Sequence, residues 1–271
     1  MVIDFHTHVF PDKIARSTID YLAEKGNTTP YTDGTVGGLL SSMINGGVDI
    51  SVTFPVLTKP SQFEKITQFV CGINERFSDK KPKIISFGGI HPDCDDVKGK
   101  LKFLKELGIK GIKIHPDYQQ TNFNDPKYVE IIKCAKDNDL IVITHSGVDN
   151  GYLDCPVRCT PDMVLDVYKK VNYSKLVLAH YGAHKMWDEA LSKLCDLDLY
   201  FDTAFTMHQI DEDIFKKILA KRGADKILFA TDSPWGDVKK DKNRLLSFNL
   251  KKEDNDKIFY KNALSLLNIG E

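Results

Sequence analysis

Short apolar runs recur along the chain at Val2–His8, Asp49–Pro55, Ile84–His91, Gly111–His115, Ile141–His145, Leu176–His180, Leu199–Asp202 and Ile227–Asp232. Several are nearly continuous in Val, Ile and Leu, the pattern of parallel strands covered on both faces. Segments of helical period lie between them. Ser61-Gln62-Phe63-Glu64 resembles a capping box, and Ile66, Phe69, Val70, Ile73 and Phe77 follow on one helical face. Asp125-Pro126 and Thr160-Pro161 each place an N-cap before a proline in the first turn. Leu101, Leu104 and Leu107 predict a helix ended by Gly108, and Lys252 to Leu267 reads as a closing helix.

Eight strands alternating with helices leave a closed barrel or an open doubly wound sheet. An open sheet of the nucleotide-binding kind calls for a glycine-rich phosphate loop after its first strand. Here Val9-Phe10-Pro11-Asp12 follows instead, and neither Gly37-Gly38 nor Gly88-Gly89 makes the fingerprint. The expected fold class is α/β, a single-domain (β/α)8 TIM barrel over residues 1–271, a usual length for that fold. No linker, low-complexity tract or short repeat divides the chain.

Composition narrows the function. A formal net charge of -1 with mixed Lys and Asp/Glu gives no basic face for nucleic acid. No apolar run approaches the ~20 residues that span a bilayer, and no leader of the secretory kind opens the chain. The expectation is a cytoplasmic protein acting on a small molecule, without nucleic acid or membrane, and with homo-oligomerisation left open. Its six cysteines, Cys71, Cys94, Cys134, Cys155, Cys159 and Cys195, are expected to stay reduced.

Candidate chemistry gathers at strand ends. In Asp4-Phe5-His6-Thr7-His8, two imidazoles two residues apart on a strand share a face and can grip one metal ion. Later strands end in His91, in Lys113 and His115, in His145, in His180 and in Asp232. In a barrel such ends converge on one mouth. Only His184 and His208 of the eight histidines fall outside this set, and both are expected at the surface or in supporting positions. His91 precedes a proline and reads as a loop cap.

Together Asp4-Phe5-His6-Thr7-His8-Val9-Phe10-Pro11, Gly111-Ile112-Lys113-Ile114-His115-Pro116, the His145 and His180 segments and Asp232-Ser233-Pro234-Trp235 resemble the amidohydrolase superfamily. The wording is most similar to its amidohydrolase-related branch, which contains aminocarboxymuconate-semialdehyde decarboxylase. The resemblance implies one divalent metal, zinc by preference, held by His6, His8, His145 and Asp232. His180 would stand beside it as an acid/base group, and Asp232 would also accept a proton from metal-activated water. Lys113 is expected as a cationic donor in the barrel; some members carbamylate a lysine here to bridge two metals, so a second metal stays open, with His115 a substrate contact or a ligand to it.

Arg158 is a candidate carboxylate clamp, or else a loop ion pair, and Trp235 a candidate pocket wall. Tyr118 and Gln119 are expected at the rim, and Ser146 lacks the surroundings of a nucleophile. The leading expectation is metal-dependent hydrolysis of a small cyclic amide, ester or lactone. The alternative is non-oxidative decarboxylation of a small unsaturated or aromatic acid, and a non-catalytic metal-binding barrel is the reading of another class.

Overall fold

The computed structural model describes residues 1–270. Eight parallel strands wind into a barrel in chain order. They are β1 (Ile3–Thr7), β2 (Ile50–Thr53), a third strand in two pieces, β3 (Lys83–Ser86) and β4 (Gly88–Gly89), then β5 (Gly111–Ile114), β6 (Ile141–Thr144), β7 (Leu176–Leu178), β8 (Tyr200–Asp202) and β9 (Ile227–Leu228). The barrel closes between β1 and the residues after β9. Phe5 N–H donates to Phe229 O at 2.9 Å, Asp232 N–H to His6 O at 2.8 Å and His8 N–H to Ser233 O at 2.6 Å. The expected barrel is present, each strand overlapping its predicted apolar run, with β3 starting one residue earlier at Lys83.

Helices flank the barrel: α1 (Asp12–Gly26), α2 (Val36–Gly46), α3 (Phe63–Phe77), α4 (Val97–Glu106), α5 (Pro126–Asp137), α6 (Pro161–Val171), α7 (Trp187–Lys193), α8 (Glu212–Arg222), α9 (Val238–Ser247), α10 (Lys252–Asp256) and α11 (Asn262–Leu267). The predicted caps of α5 and α6 form, Asp125 accepting from Lys127 N–H at 2.9 Å and Thr160 from Met163 N–H at 3.3 Å. The capping box before α3 does not. Gln62 Oε1 instead turns back to take Thr58 N–H at 2.8 Å and Lys59 N–H at 3.0 Å, building a 3-10 turn over Pro60–Gln62. Leu107 lies past the end of α4 and is exposed.

Two apolar cores result. An outer core lies between strands and helices; an inner one fills the barrel with Ile3, Phe5, Val52, Ile85, Ile143, Val177 and Leu228. Ala263, Leu264, Leu266 and Leu267 of α11 join the inner core, so this helix plugs the barrel at its N-terminal end. Polar side chains in the barrel therefore collect toward the opposite mouth. No helix among the described residues is long and apolar enough to cross a membrane.

β1 carries an irregularity that sets the site. Asp4 pairs with Ser51 and Thr7 with Thr53, so Phe5 and His6 together stand opposite Val52. Such a bulge lets consecutive residues face the same side. Phe5 ends the inner core, and His6 and His8 face the mouth above it. Asp4, buried, ties the bulge to the closure: Oδ1 accepts Thr231 N–H at 3.0 Å and His6 N–H at 3.4 Å, and Oδ2 accepts the Thr231 hydroxyl at 2.6 Å. Asp4→Ala would strand these buried donors and is expected to cost about 1–3 kcal/mol in urea unfolding. Asp4→Asn, whose amide still accepts and donates, is expected to cost clearly less; equal losses would show that the bonds to Thr231 do not hold the seam.

Candidate metal centre and active site

A cavity of about 590 Å³ opens at the barrel mouth. His6, His8, Lys113, His115, His145, His180 and Asp232 line it, with Phe54, Phe205 and Trp235 as walls. Ile14, Thr18, Tyr21, Leu22 and Lys25 of α1 reach over it, together with Ile66 and Phe69 of α3. The floor is polar and the upper wall largely apolar.

Hydrogen bonds fix which ring nitrogens face this space. Phe54 O can only accept, so His8 donates to it from Nδ1 at 2.8 Å and turns a bare Nε2 inward. His6 Nδ1 lies 2.8 Å from Asp202 Oδ2, which likewise leaves Nε2 as a lone pair. The two Nε2 atoms are 3.1 Å apart, and Asp232 Oδ1 lies 3.3 Å from the first and 3.2 Å from the second. Three acceptors so close repel one another unless a cation sits among them. A tetrahedral ion with bonds of about 2.0–2.2 Å separates its donors by about 3.3–3.6 Å, close to this triangle. The donor set therefore fits a divalent transition ion, and the outer nitrogens have the anchoring partners such ligands need.

Asp202 was not singled out from the sequence, although it ends a predicted strand. Fully buried, it turns Oδ2 to His6 while Oδ1 accepts the backbone N–H of His180 at 2.9 Å and of Ala204 at 3.1 Å. Burial raises its carboxyl to about 6. His180, Tyr181 and Asp232 adopt φ of 61°, 58° and 66°, a left-handed conformation costly for residues other than glycine. That strain points the strand ends into the mouth.

Lys113 is buried, with Nζ 3.0 Å from His6 Nε2 and no carboxylate within 4 Å among the described residues. Burial lowers its ammonium to about 8, against the pull of Asp232, Asp202 and Asp149. Burial, helped by the Lys113 charge, also holds His6 well below the usual imidazole range. His180 is pushed down by burial and by the neighbouring His145. These rings are neutral near pH 7.

The other expected residues divide. His145, expected as a fourth donor, instead groups with His115 and Asp149, apart from His6, His8 and Asp232. Its Nδ1 lies 2.9 Å from His180 Nε2. His115 stacks under Tyr118 at 4.0 Å, and Trp235 reaches the cavity wall. Arg158 does not enter. Its backbone O is pinned by Phe123 N–H at 2.7 Å, which turns the guanidinium into a separate cleft and toward Asn122 Oδ1 at 3.4 Å.

Gln119 is buried rather than at the rim, donating to Leu57 O at 2.8 Å and Ile90 O at 2.7 Å. His91 takes Asp93 N–H at 3.1 Å, a loop bond. His184, expected at the surface or in a supporting position, is buried and lines the cavity; His208 stays outside beside Asp241. Asp149 is the other unforeseen member, carried in by the loop after β6.

No curated protein matches the sequence. Among solved structures, an uncharacterised TIM-barrel protein from Bordetella bronchiseptica is similar with TM-score 0.74 and 15% identity, covering 98% of both chains. 2,6-Dihydroxybenzoate decarboxylase from Rhizobium gives 0.69 and 13%, also with 98% of both chains. A 5-carboxyvanillate decarboxylase from Novosphingobium aromaticivorans, complexed with manganese and 4-hydroxy-3-methoxy-5-nitrobenzoic acid, gives 0.70 and 12%, covering 99% of this chain and 96% of that one. The shared barrel extends over nearly the whole length. The amidohydrolase family matches residues 3–269, and the chain belongs to that family.

Proposed function

We propose that this chain is one domain housing a metal-dependent decarboxylase of a small aromatic or unsaturated carboxylic acid. The observation that carries the reading is Lys113, a buried cation on the cavity floor without a carboxylate partner, beside the donor triangle. A substrate carboxylate would supply that partner. The aromatic walls from Phe54, Phe205 and Trp235 suit a planar body. The similar decarboxylases named above, one of them holding manganese and a hydroxybenzoate analogue, support the same class.

His6, His8 and Asp232 would hold the ion, which supplies Lewis-acid charge beside a substrate oxygen. Zinc and manganese both suit two imidazoles and a carboxylate. The chain's own residues do the rest. Lys113 orients the carboxylate, and the apolar roof strips its water, which favours release of uncharged carbon dioxide. The bond between the ring or vinyl carbon and the carboxylate breaks, leaving its electron pair on that carbon.

A proton must then reach the carbon. His180 beside the cavity floor would pass it on from solvent; RCOO⁻ and H⁺ become RH and CO2. Hydrolysis of a cyclic amide, ester or lactone, the first expectation from the motifs, would use the same donors to activate water. No residue of the cavity requires it.

Protein loaded with manganese or zinc is expected to release carbon dioxide from hydroxybenzoates or short unsaturated acids. Acid release from lactones or esters without carbon dioxide from any acid would overturn the reading in favour of hydrolysis. Lys113→Met is expected to lower kcat/KM by about 10²–10³-fold, the scale of an unpaired buried charge. His180→Asn is expected to keep the metal and lose about 10²–10⁴-fold in turnover; loss of metal with activity would make His180 a ligand.

Asp202→Asn gives a check that does not depend on substrate. It weakens the anchor of His6, and metal affinity measured by chelator competition is expected to fall about 10–100-fold. Unchanged affinity would mean that His6 does not hold the ion.

A further inference from the structure

Arg158, turned away from the catalytic cavity, faces a separate cleft of about 660 Å³ between the loops that follow β2, β4, β5 and β6. Thr58 and Tyr118 stand between the two spaces, each lining both. The cleft is furnished differently. Its walls are polar side chains apart from Pro60 and Tyr118, so it does not suit the planar apolar body assigned to the substrate.

Its cations are free of acidic partners. Arg158 makes one long contact, 3.4 Å to Asn122 Oδ1, and no carboxylate lies within 4 Å of its guanidinium among the described residues. Burial raises the Asp117 carboxyl to about 6 and the Arg158 charge pulls it back, yet the two form no ion pair. Lys59 likewise has no carboxylate within 4 Å among the described residues. His91 adds a buried donor. Its Nδ1 accepts Asp93 N–H at 3.1 Å, so the ring proton sits on Nε2. Burial disfavours a second proton on the ring. Nε2–H makes no hydrogen bond among the described residues, in a residue 5% exposed that lines the cleft. Such a donor calls for an acceptor.

The acids of the cleft are already engaged. Asp93 holds Lys127 Nζ at 2.7 Å, and Asp125 caps α5 through Lys127 N–H at 2.9 Å. The donors are also held in place. Phe123 N–H pins Arg158 O, Gln62 Oε1 takes Lys59 N–H at 3.0 Å, and Gln119 beneath them ties Leu57 to Ile90. We propose that this preformed cleft binds a small polar molecule by its phosphate or carboxylate group. Arg158 offers a planar fork to that group, with Lys59 and the His91 N–H as further donors of the same cleft. The site does not depend on the reaction assigned above, nor on the triangle of His6, His8 and Asp232.

The test is calorimetric titration of the metal-loaded protein with inorganic phosphate, glycerol 3-phosphate and succinate. At least one is expected to bind the wild type. Arg158→Gln is expected to weaken that binding about 10–100-fold, the scale of a charged hydrogen bond. His91→Asn, whose Oδ1 still takes Asp93 N–H, is expected to weaken it about 10-fold. Arg158→Lys, which restores the charge, is expected to recover part of the affinity, and an unchanged circular dichroism spectrum shows that each variant is folded. The His6→Ala/His8→Ala double variant is expected to bind as the wild type does. Binding of glycerol 3-phosphate without succinate would identify a phosphate ester as the ligand class, and the reverse a carboxylic acid. Binding kept by Arg158→Gln and lost from the double variant would put the anion on the metal and overturn the cleft. Loss from both would join the anion to the catalytic cavity and overturn a separate site. Equal binding by the wild type, Arg158→Gln and His91→Asn, or none by the wild type, would overturn it as well.

Discussion

Phe5 and His6 stand together opposite Val52, and this one extra residue in β1 decides which side chains face the interior of the barrel. Without it, alternation would carry Ile3, Phe5 and Thr7 inward together and turn His6 and His8 to the helices, since a one-residue slip exchanges the faces of a strand. With it, the apolar pair fills the lower barrel and the imidazole pair opens onto the mouth. The bulge needs a partner for the amide it displaces. Asp4 provides that partner and joins the same carboxylate to Thr231, so the geometry of the site and the closure of the barrel rest on one buried group.

A second theme is the conversion of backbone carbonyls into ligand geometry. Phe54 O and Ala204 O each fix a tautomer, and through His180 the choice at Ala204 reaches His145. Among the ring nitrogens left over, Nε2 of His6 lies 3.0 Å from Lys113 Nζ. Asp202 extends this order to the main chain by holding both His6 and the strained turn at His180. Neutral, oriented imidazoles are the form in which histidine binds metal.

Much of this was legible in the residues. Strands buried on both faces announce themselves as unbroken Val and Ile runs, and His6, His8, His115, His145, His180 and Asp232 stand out because polar residues interrupt those runs at their ends. Asp202 also ended such a run, but a lone carboxylate there is indistinguishable from a strand terminus until His6 is seen against it. Asp149 and His184 come from loops, whose paths depend on contacts such as Gly147 N–H to Cys159 O and His184 N–H to Ser146 O, distant pairings with no local pattern. The same loop closure carries Arg158 away from the mouth, although its place in the sequence suggested a clamp. The bulge was invisible for a related reason, since it is a property of two strands in register.

The plug formed by α11 has a further consequence. With Leu264, Leu266 and Leu267 packed into the base of the barrel, the cavity is a cul-de-sac rather than a channel. Whatever enters beneath α1 must leave by the same door, past Tyr21 and Lys25. Arrival and departure therefore share one route, and the residues at its threshold govern both. A molecule lodged there shuts the protein in either direction.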